Sequence, residues 1–236
     1  MFPIRDTIPH RHFPYATWIL IALNALAFLR ELAVPREAAE AMIYLFGLVP
    51  ARFTNPGWAA TVGFPIHTYW PFLTTMFLHG GWLHVIGNMW VLAIFGDNVE
   101  DRMGPVRFTL FYLLCGITAG VVHVLTNPES TIPAVGASGA IAGVMAAYFV
   151  LYPRARIVAM FPIIFYPIFF EVPAFVYLGF WFLVQVLSGT MAIASDRQVG
   201  GIAWWAHIGG FAAGILFLAL FLRRERPPPV ETVGLA

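Results

Sequence analysis

Apolar residues run along this chain in blocks rather than in alternation, and polar residues fall mostly in the gaps between blocks. About 20 apolar residues are needed to cross a bilayer as a helix. The pattern predicts six such crossings, at about Thr17–Ala33, Trp82–Val99, Phe108–Leu125, Ser138–Leu151, Pro173–Ile193 and Trp204–Leu222. The fourth is short. The stretch Val34–Gly81, between the first two crossings, is only semi-apolar and mixes Trp58, Tyr69 and Trp70 with Pro and Gly. It is expected to lie in the interface plane. Ile157–Phe170 is strongly apolar but about 14 residues long and interrupted by Pro162 and Pro167. Too short to span and broken for a helix, it is also expected at the interface. The predicted class is an all-α membrane protein, a six-transmembrane-helix bundle with a partly membrane-embedded first loop.

Composition agrees with the pattern. The 236 residues are 60% hydrophobic and only 11% charged, against about 25% charged in soluble domains. Net charge is near zero, so nothing points to nucleic acid. The single Cys115 lies in an apolar run, which excludes a disulfide framework and a thiolate metal cage. Met1–Tyr15 is polar with three Pro and reads as no cleavable signal peptide, the first crossing directing insertion. All 13 basic residues are Arg. With the N-terminus inside, nine flank the inner ends of the crossings and four (Arg30, Arg36, Arg52 and Arg197) fall on the outer side. This asymmetry predicts cytoplasmic termini. The chain divides into a cytoplasmic segment, 1–16, a six-span domain, 17–223, and a disordered cytoplasmic tail, 224–236.

Polar side chains inside crossings are costly and mark function. Ser138 opens the fourth crossing within Gly136-Ala137-Ser138-Gly139, hemmed in by residues with almost no side chain. His84 and Asn88 share one face of the second crossing at i and i+4. His207 begins the sixth, and Gln185 lies in the fifth. Ser138, His84, Asn88 and His207 all sit within one or two turns of the outer helix ends, so they can meet at one depth. Gly139, Ala142, Gly143 and Ala146 form a small-residue stripe on the fourth helix, and Gly210 and Gly214 form one on the sixth beside His207. Packed stripe to stripe, the two helices bring His207 to Ser138. A serine with an adjacent imidazole is an activated nucleophile. Asn88, His84 and backbone amides at the helix start can bind an oxyanion. No acid is placed to orient His207, so a Ser–His dyad is expected. Each group also has a bland reading: Ser138 as a helix cap, His84 with Asn88 as a structural pair, Gln185 as a helix–helix hydrogen bond. Glu100 and Asp101 look like a solvated inner loop. His79, His84 and His207 could in principle hold a metal, but no carboxylate or thiolate joins them.

These residues resemble the rhomboid intramembrane serine proteases, in the six-span bacterial form, from about Thr17 to Arg223. The motifs are His79-Gly-Gly-Trp-Leu-His84-Val-Ile-Gly-Asn88, Gly136-Ala-Ser138-Gly139-Ala-Ile-Ala-Gly143 and Ala206-His207-Ile-Gly-Gly210, with Glu100 matching the family's inner-loop glutamate. The resemblance implies a rhomboid-like bundle with Ser138 as nucleophile and His207 as general base. It implies an oxyanion site at His84, Asn88, Gly136 and Gly139. It implies hydrolysis of peptide bonds in or near the transmembrane helices of other membrane proteins, with no metal, nucleotide or other cofactor. The fifth crossing, with Trp181 and Phe182, would be a lateral gate. The expected partners are transmembrane protein substrates and the lipid bilayer, with no nucleic acid. The compact form suggests a bacterial inner membrane. Two departures stand out. Trp70-Pro71 replaces a Trp-Arg pair of the first loop, and Ala142 replaces a Tyr that stacks on the catalytic His, so His207 must be steadied otherwise. The competing readings are a non-catalytic client-binding or chaperone protein on the same scaffold, and a transporter, against which the midplane lacks ionisable residues.

Overall fold

The computed structural model describes residues 2–65, 67–163, 166–194 and 203–223. The predicted tail, with Arg224 and Arg226, lies outside them, and so does Arg197 in the connection before the sixth predicted crossing. A helix stands at each of the six predicted positions: α1 (Tyr15–Leu32), α6 (Trp82–Met103), α7 (Pro105–Thr126), α8 (Ser138–Leu151), α9 (Ala174–Ala194) and α10 (Trp204–Phe221). Among the described residues α1, α7, α9 and α10 are each long and apolar enough to cross a membrane. A fifth crossing is reached if α6 is joined to Pro71–Phe77, from which it bends by 95°. The 14-residue α8 is apolar but shorter. The bundle is therefore a helical membrane fold. By length and composition alone, four to five of its helices qualify as spans.

α8 is the axis of the bundle. Every residue from Gly139 to Tyr148 is buried, because neighbours close on it from both sides. Methyl carbons placed on Gly139 and Gly143 would lie 2.6 Å and 2.5 Å from the Cβ atoms of Ala119 and Cys115 on α7. On the other side, a methyl on Gly210 of α10 would overlap the Gly139 carbonyl oxygen, and one on Gly214 would lie 2.9 Å from Ala146 Cβ. The small-residue stripes thus meet as their spacing predicts, and backbone touches backbone.

The connection between α1 and α6 folds into the short helices α2 (Arg36–Phe46), α3 (Ala51–Thr54), α4 (Pro56–Thr61) and α5 (Pro71–Thr74). Its anchor is Arg52, which is buried. The guanidinium donates to the Leu45 carbonyl at 2.9 Å and to Thr68 Oγ1. Its carbon lies 5.1–5.9 Å from the ring centres of Phe53, Phe64 and Trp70. An arginine inside the loop thus ties it together where Trp70-Pro71 lacks one. The same connection straps the segment before α8. Leu48 and Ala134 exchange backbone hydrogen bonds at 3.0 and 2.9 Å, and Gly136 N donates to Thr75 O at 2.9 Å.

Two expectations change. Ile157–Phe170, outside residues 164 and 165, is extended chain in a fold expected to be all α. It contributes the strands β2 (Arg156–Ile163) and β3 (Tyr166–Pro173), and β1 (Phe2–Asp6) completes an antiparallel sheet in the order β1-β2-β3. A continuous apolar run carries no period by which to tell strand from helix. Pro162 and Pro167 are paired across the ladder near the hairpin end. Ile157 and Ala159 are buried, whereas Phe161, Tyr166, Ile168 and Phe169 are exposed, an apolar surface suited to an interface. The sheet is held to the bundle by Tyr148 Oη, which donates to Asp6 Oδ2 at 2.5 Å. Burial pushes the Asp6 carboxyl above the usual carboxylate range.

Nor is Glu100 a solvated loop residue. It is 4% exposed, and its carboxylate accepts from Ala16 N (2.9 Å), Thr17 N (2.8 Å) and Thr17 Oγ1 (2.9 Å). These are donors of the first turn of α1, which lack helical partners of their own. Asp101 beside it accepts from the backbone amides of Arg11 and His12. Glu100→Ala strands three buried donors and should destabilise the bundle by about 2–3 kcal/mol. Thermal unfolding in detergent reads this, and an unchanged midpoint would refute the capping role.

Candidate active site

The loop before α8 approaches the helix through Gly136 at φ +120°, a conformation that side chains rarely adopt. A methyl there would also lie 2.6 Å from His84 Nε2 and 3.4 Å from Asn88 Nδ2. The two polar groups of α6 therefore converge beside Gly136, two residues ahead of Ser138. The first helical hydrogen bond of α8 runs from Ile141 N to Ala137 O at 3.0 Å. The amides of Ser138, Gly139 and Ala140 precede that ladder, and α8 presents them at its N-terminus.

Ser138 is half-buried and has no Asn- or Asp-type cap role: no side chain caps the N-terminus of α8. Its Oγ lies 2.8 Å from His207 Nε2. That contact joins α8 to α10 across the glycine stripes. Beside Ser138 is a cavity of about 30 Å³, lined in part by Thr75, His123, Gly136 and Ala206. It has room for a water molecule.

Of the oxyanion candidates, Asn88 is buried and its Nδ2 lies 3.0 Å from His79 Nε2, leaving a second N–H. His79 is itself buried, packs edge-on against the His84 ring with centroids 5.1 Å apart, and has its amide held by Glu31 Oε1 at 3.2 Å. It therefore supports Asn88 and His84 from behind. Gly136 is present at the site, but its N–H is spent on Thr75 O. Its part is to let His84 and Asn88 approach. The amide of Gly139 remains at the helix start.

The pattern missed what surrounds His207. Its Nδ1 lies 2.8 Å from Gln185 Oε1, and Gln185 is 4% exposed. The Trp181 ring faces the imidazole with centroids 5.8 Å apart. Gln185 does bridge two helices, but it does so through the imidazole, and an amide fills the place where no acid was found. Trp181 and Gln185 are i and i+4 on α9, the signal that singled out His84 and Asn88. His123, on α7 at the cavity wall, has Asn127 at i+4, the same His/Asn spacing, and was not singled out.

A model of the Rhomboid domain matches residues 67–224. Among curated proteins, "RHOMBOID-like protein 6, mitochondrial" of Arabidopsis thaliana is 30% identical over 155 residues, which is 61% of this chain and 41% of that protein. "Putative rhomboid protease YdcA" of Bacillus subtilis is 32% identical over 117 residues, 47% of this chain and 57% of that protein. "Presenilin-associated rhomboid-like protein, mitochondrial" of Mus musculus is 28% identical over 172 residues, 68% of this chain and 41% of that protein. In each case the chain spans less than two thirds of its relative's length.

Proposed function

This chain belongs to the rhomboid family, a multi-pass membrane protein, and we propose that it is an intramembrane serine endopeptidase. The observation that carries the reading is the 2.8 Å approach of His207 Nε2 to Ser138 Oγ at the start of a buried helix. His207 takes the hydroxyl proton as Ser138 attacks a substrate carbonyl. The oxyanion is met by the amides at the start of α8, by Asn88 and by His84. The protonated imidazole returns its proton to the leaving amine. Water then hydrolyses the acyl-enzyme.

The substrate class follows from where this chemistry sits. A transmembrane helix of another protein hides its carbonyls in hydrogen bonds and must unwind before Ser138 can attack. Small or helix-breaking residues near one membrane face should favour cleavage. With six crossings, counting the short α8, the Arg distribution favours cytoplasmic termini and a site near the outer face, and the membrane proposed from the compact form is a bacterial inner membrane. Membership of the rhomboid family and similarity to the Bacillus subtilis protein named as a rhomboid protease support the protease assignment.

A fluorophosphonate probe in mild detergent tests the chemistry without a known substrate. Wild type is expected to label and folded Ser138→Ala to remain unlabelled. Equal labelling of both, or of neither, would favour a client-binding scaffold. For a cleaved substrate, replacing its helix breakers with Leu should slow cleavage, and an unchanged rate would refute the unwinding step.

A further inference from the structure

We propose that Gln185 is a positioning residue for the catalytic imidazole, fixing its tautomer and ring orientation, so that the working unit is Ser138–His207–Gln185. The inference rests on the protease reading above and extends it to a third side chain.

Gln185 Nε2 lies 3.2 Å from the Trp181 carbonyl oxygen, one turn back on α9. A carbonyl only accepts, so the NH2 group must be on that side. Oε1 is then the atom that faces His207 Nδ1 at 2.8 Å. Oε1 also only accepts, so Nδ1 carries the imidazole proton. His207 Nε2 is left with its lone pair towards Ser138 Oγ, 2.8 Å away, and can take the hydroxyl proton. One backbone carbonyl therefore sets the tautomer of the base through two side chains. In the opposite tautomer Nε2 would donate to the serine and could not accept its proton.

The ring plane is fixed as well. Trp181 faces the imidazole at 5.8 Å with an interplanar angle of 37°. Trp181 is itself packed beside Phe211, one turn beyond His207 on α10, with centroids 6.3 Å apart. Gln185 and Trp181 together supply the steadying contact that Ala142 cannot. As the imidazole becomes charged in the reaction, its hydrogen bond to Oε1 strengthens, so the contact favours the transition state over the resting state. An amide in this place has a precedent in the Cys-His-Asn arrangement of papain-like proteases.

The test compares wild type with Gln185→Leu, Gln185→Met and Gln185→Glu, each checked for its melting temperature. Saturation kinetics of fluorophosphonate labelling separate the inactivation rate from probe affinity. Gln185→Leu and Gln185→Met should label about tenfold more slowly at saturation, the worth of one hydrogen bond to a charging imidazole, with probe affinity unchanged. Gln185→Glu keeps an acceptor at Nδ1 and should restore at least half the wild-type rate. A helix–helix contact alone would lower the melting temperature of all variants without this split. Wild-type rates in Gln185→Leu or Gln185→Met would overturn the proposal. So would a loss in Gln185→Glu as deep as theirs, or an effect confined to probe affinity. If Gln185→Leu does not fold, Gln185→Met and Gln185→Glu decide. Failure of wild type itself to label defeats the protease reading and this role with it, an outcome distinct from labelling that ignores Gln185.

Discussion

His207→Ala is expected to lower the rate of Ser138 labelling and of substrate cleavage by about a thousandfold or more, with the protein still inserted and folded. A serine hydroxyl is a poor nucleophile unless a base within hydrogen-bond reach takes its proton. The group at that distance from Ser138 Oγ is His207 Nε2. His207 stands in the first turn of α10, on a helix held to α8 mainly by glycine contacts, so its removal leaves the packing surface at Gly210 and Gly214 intact. In the proposed reaction the same imidazole protonates the leaving amine, so both halves should slow. In substrate cleavage the loss should equal that of the double variant Ser138→Ala/His207→Ala, because groups that act as a unit are not additive. A His207→Ala protein that labels within tenfold of wild type would mean that another base activates Ser138. His123, on the wall of the adjoining cavity, would then be examined first.

Gly210→Ala should cost at least about a hundredfold in the same assay, although it adds one methyl group 3 residues away from His207 along the chain. That methyl has nowhere to go. It would overlap the backbone carbonyl oxygen of Gly139, the residue after Ser138. A flexible side chain could swing aside, but a carbonyl inside a buried helix cannot, so α8 and α10 must separate. The 2.8 Å contact between Ser138 and His207 straddles that seam and opens with it. A displacement of about 1 Å suffices for a hundredfold loss in catalysis. Gly87→Ala is the control, since among the described residues nothing lies within 4 Å of a methyl at that position on α6. Both variants should insert normally, and only Gly210→Ala should lose activity. A fully active Gly210→Ala would refute the account of the seam.

The two predictions differ in how far the sequence alone supports them. Small residues at i and i+4 on two apolar helices already specify close packing, and the position of His207 on the same face as Gly210 and Gly214 brings it to Ser138. Both follow from helical period, which the chain carries locally. The His84–Asn88 pair was legible for the same reason. Gln185 obeyed that rule too, but a lone amide in a span has many possible partners, and only the approach of α9 to α10 chooses the imidazole. Gly136 was legible as part of the site. That its N–H is spent on Thr75, leaving it to admit His84 and Asn88, is decided by the strap from the first connection.

The sequence by itself determined that this is a helical membrane protein, where its apolar helices run, and which serine and histidine meet. These properties follow from segment hydrophobicity and from a fixed helical repeat. The tertiary structure decided what depends on partners remote in the chain. Glu100 became a buried cap for α1 because the start of that helix lies 84 residues away in sequence but within 2.9 Å in space. Ile157–Phe170 became strands because an N-terminal segment pairs with β2. The surroundings of the His207 imidazole were decided by another helix, since only the approach of α9 places Gln185 Oε1 2.8 Å from Nδ1.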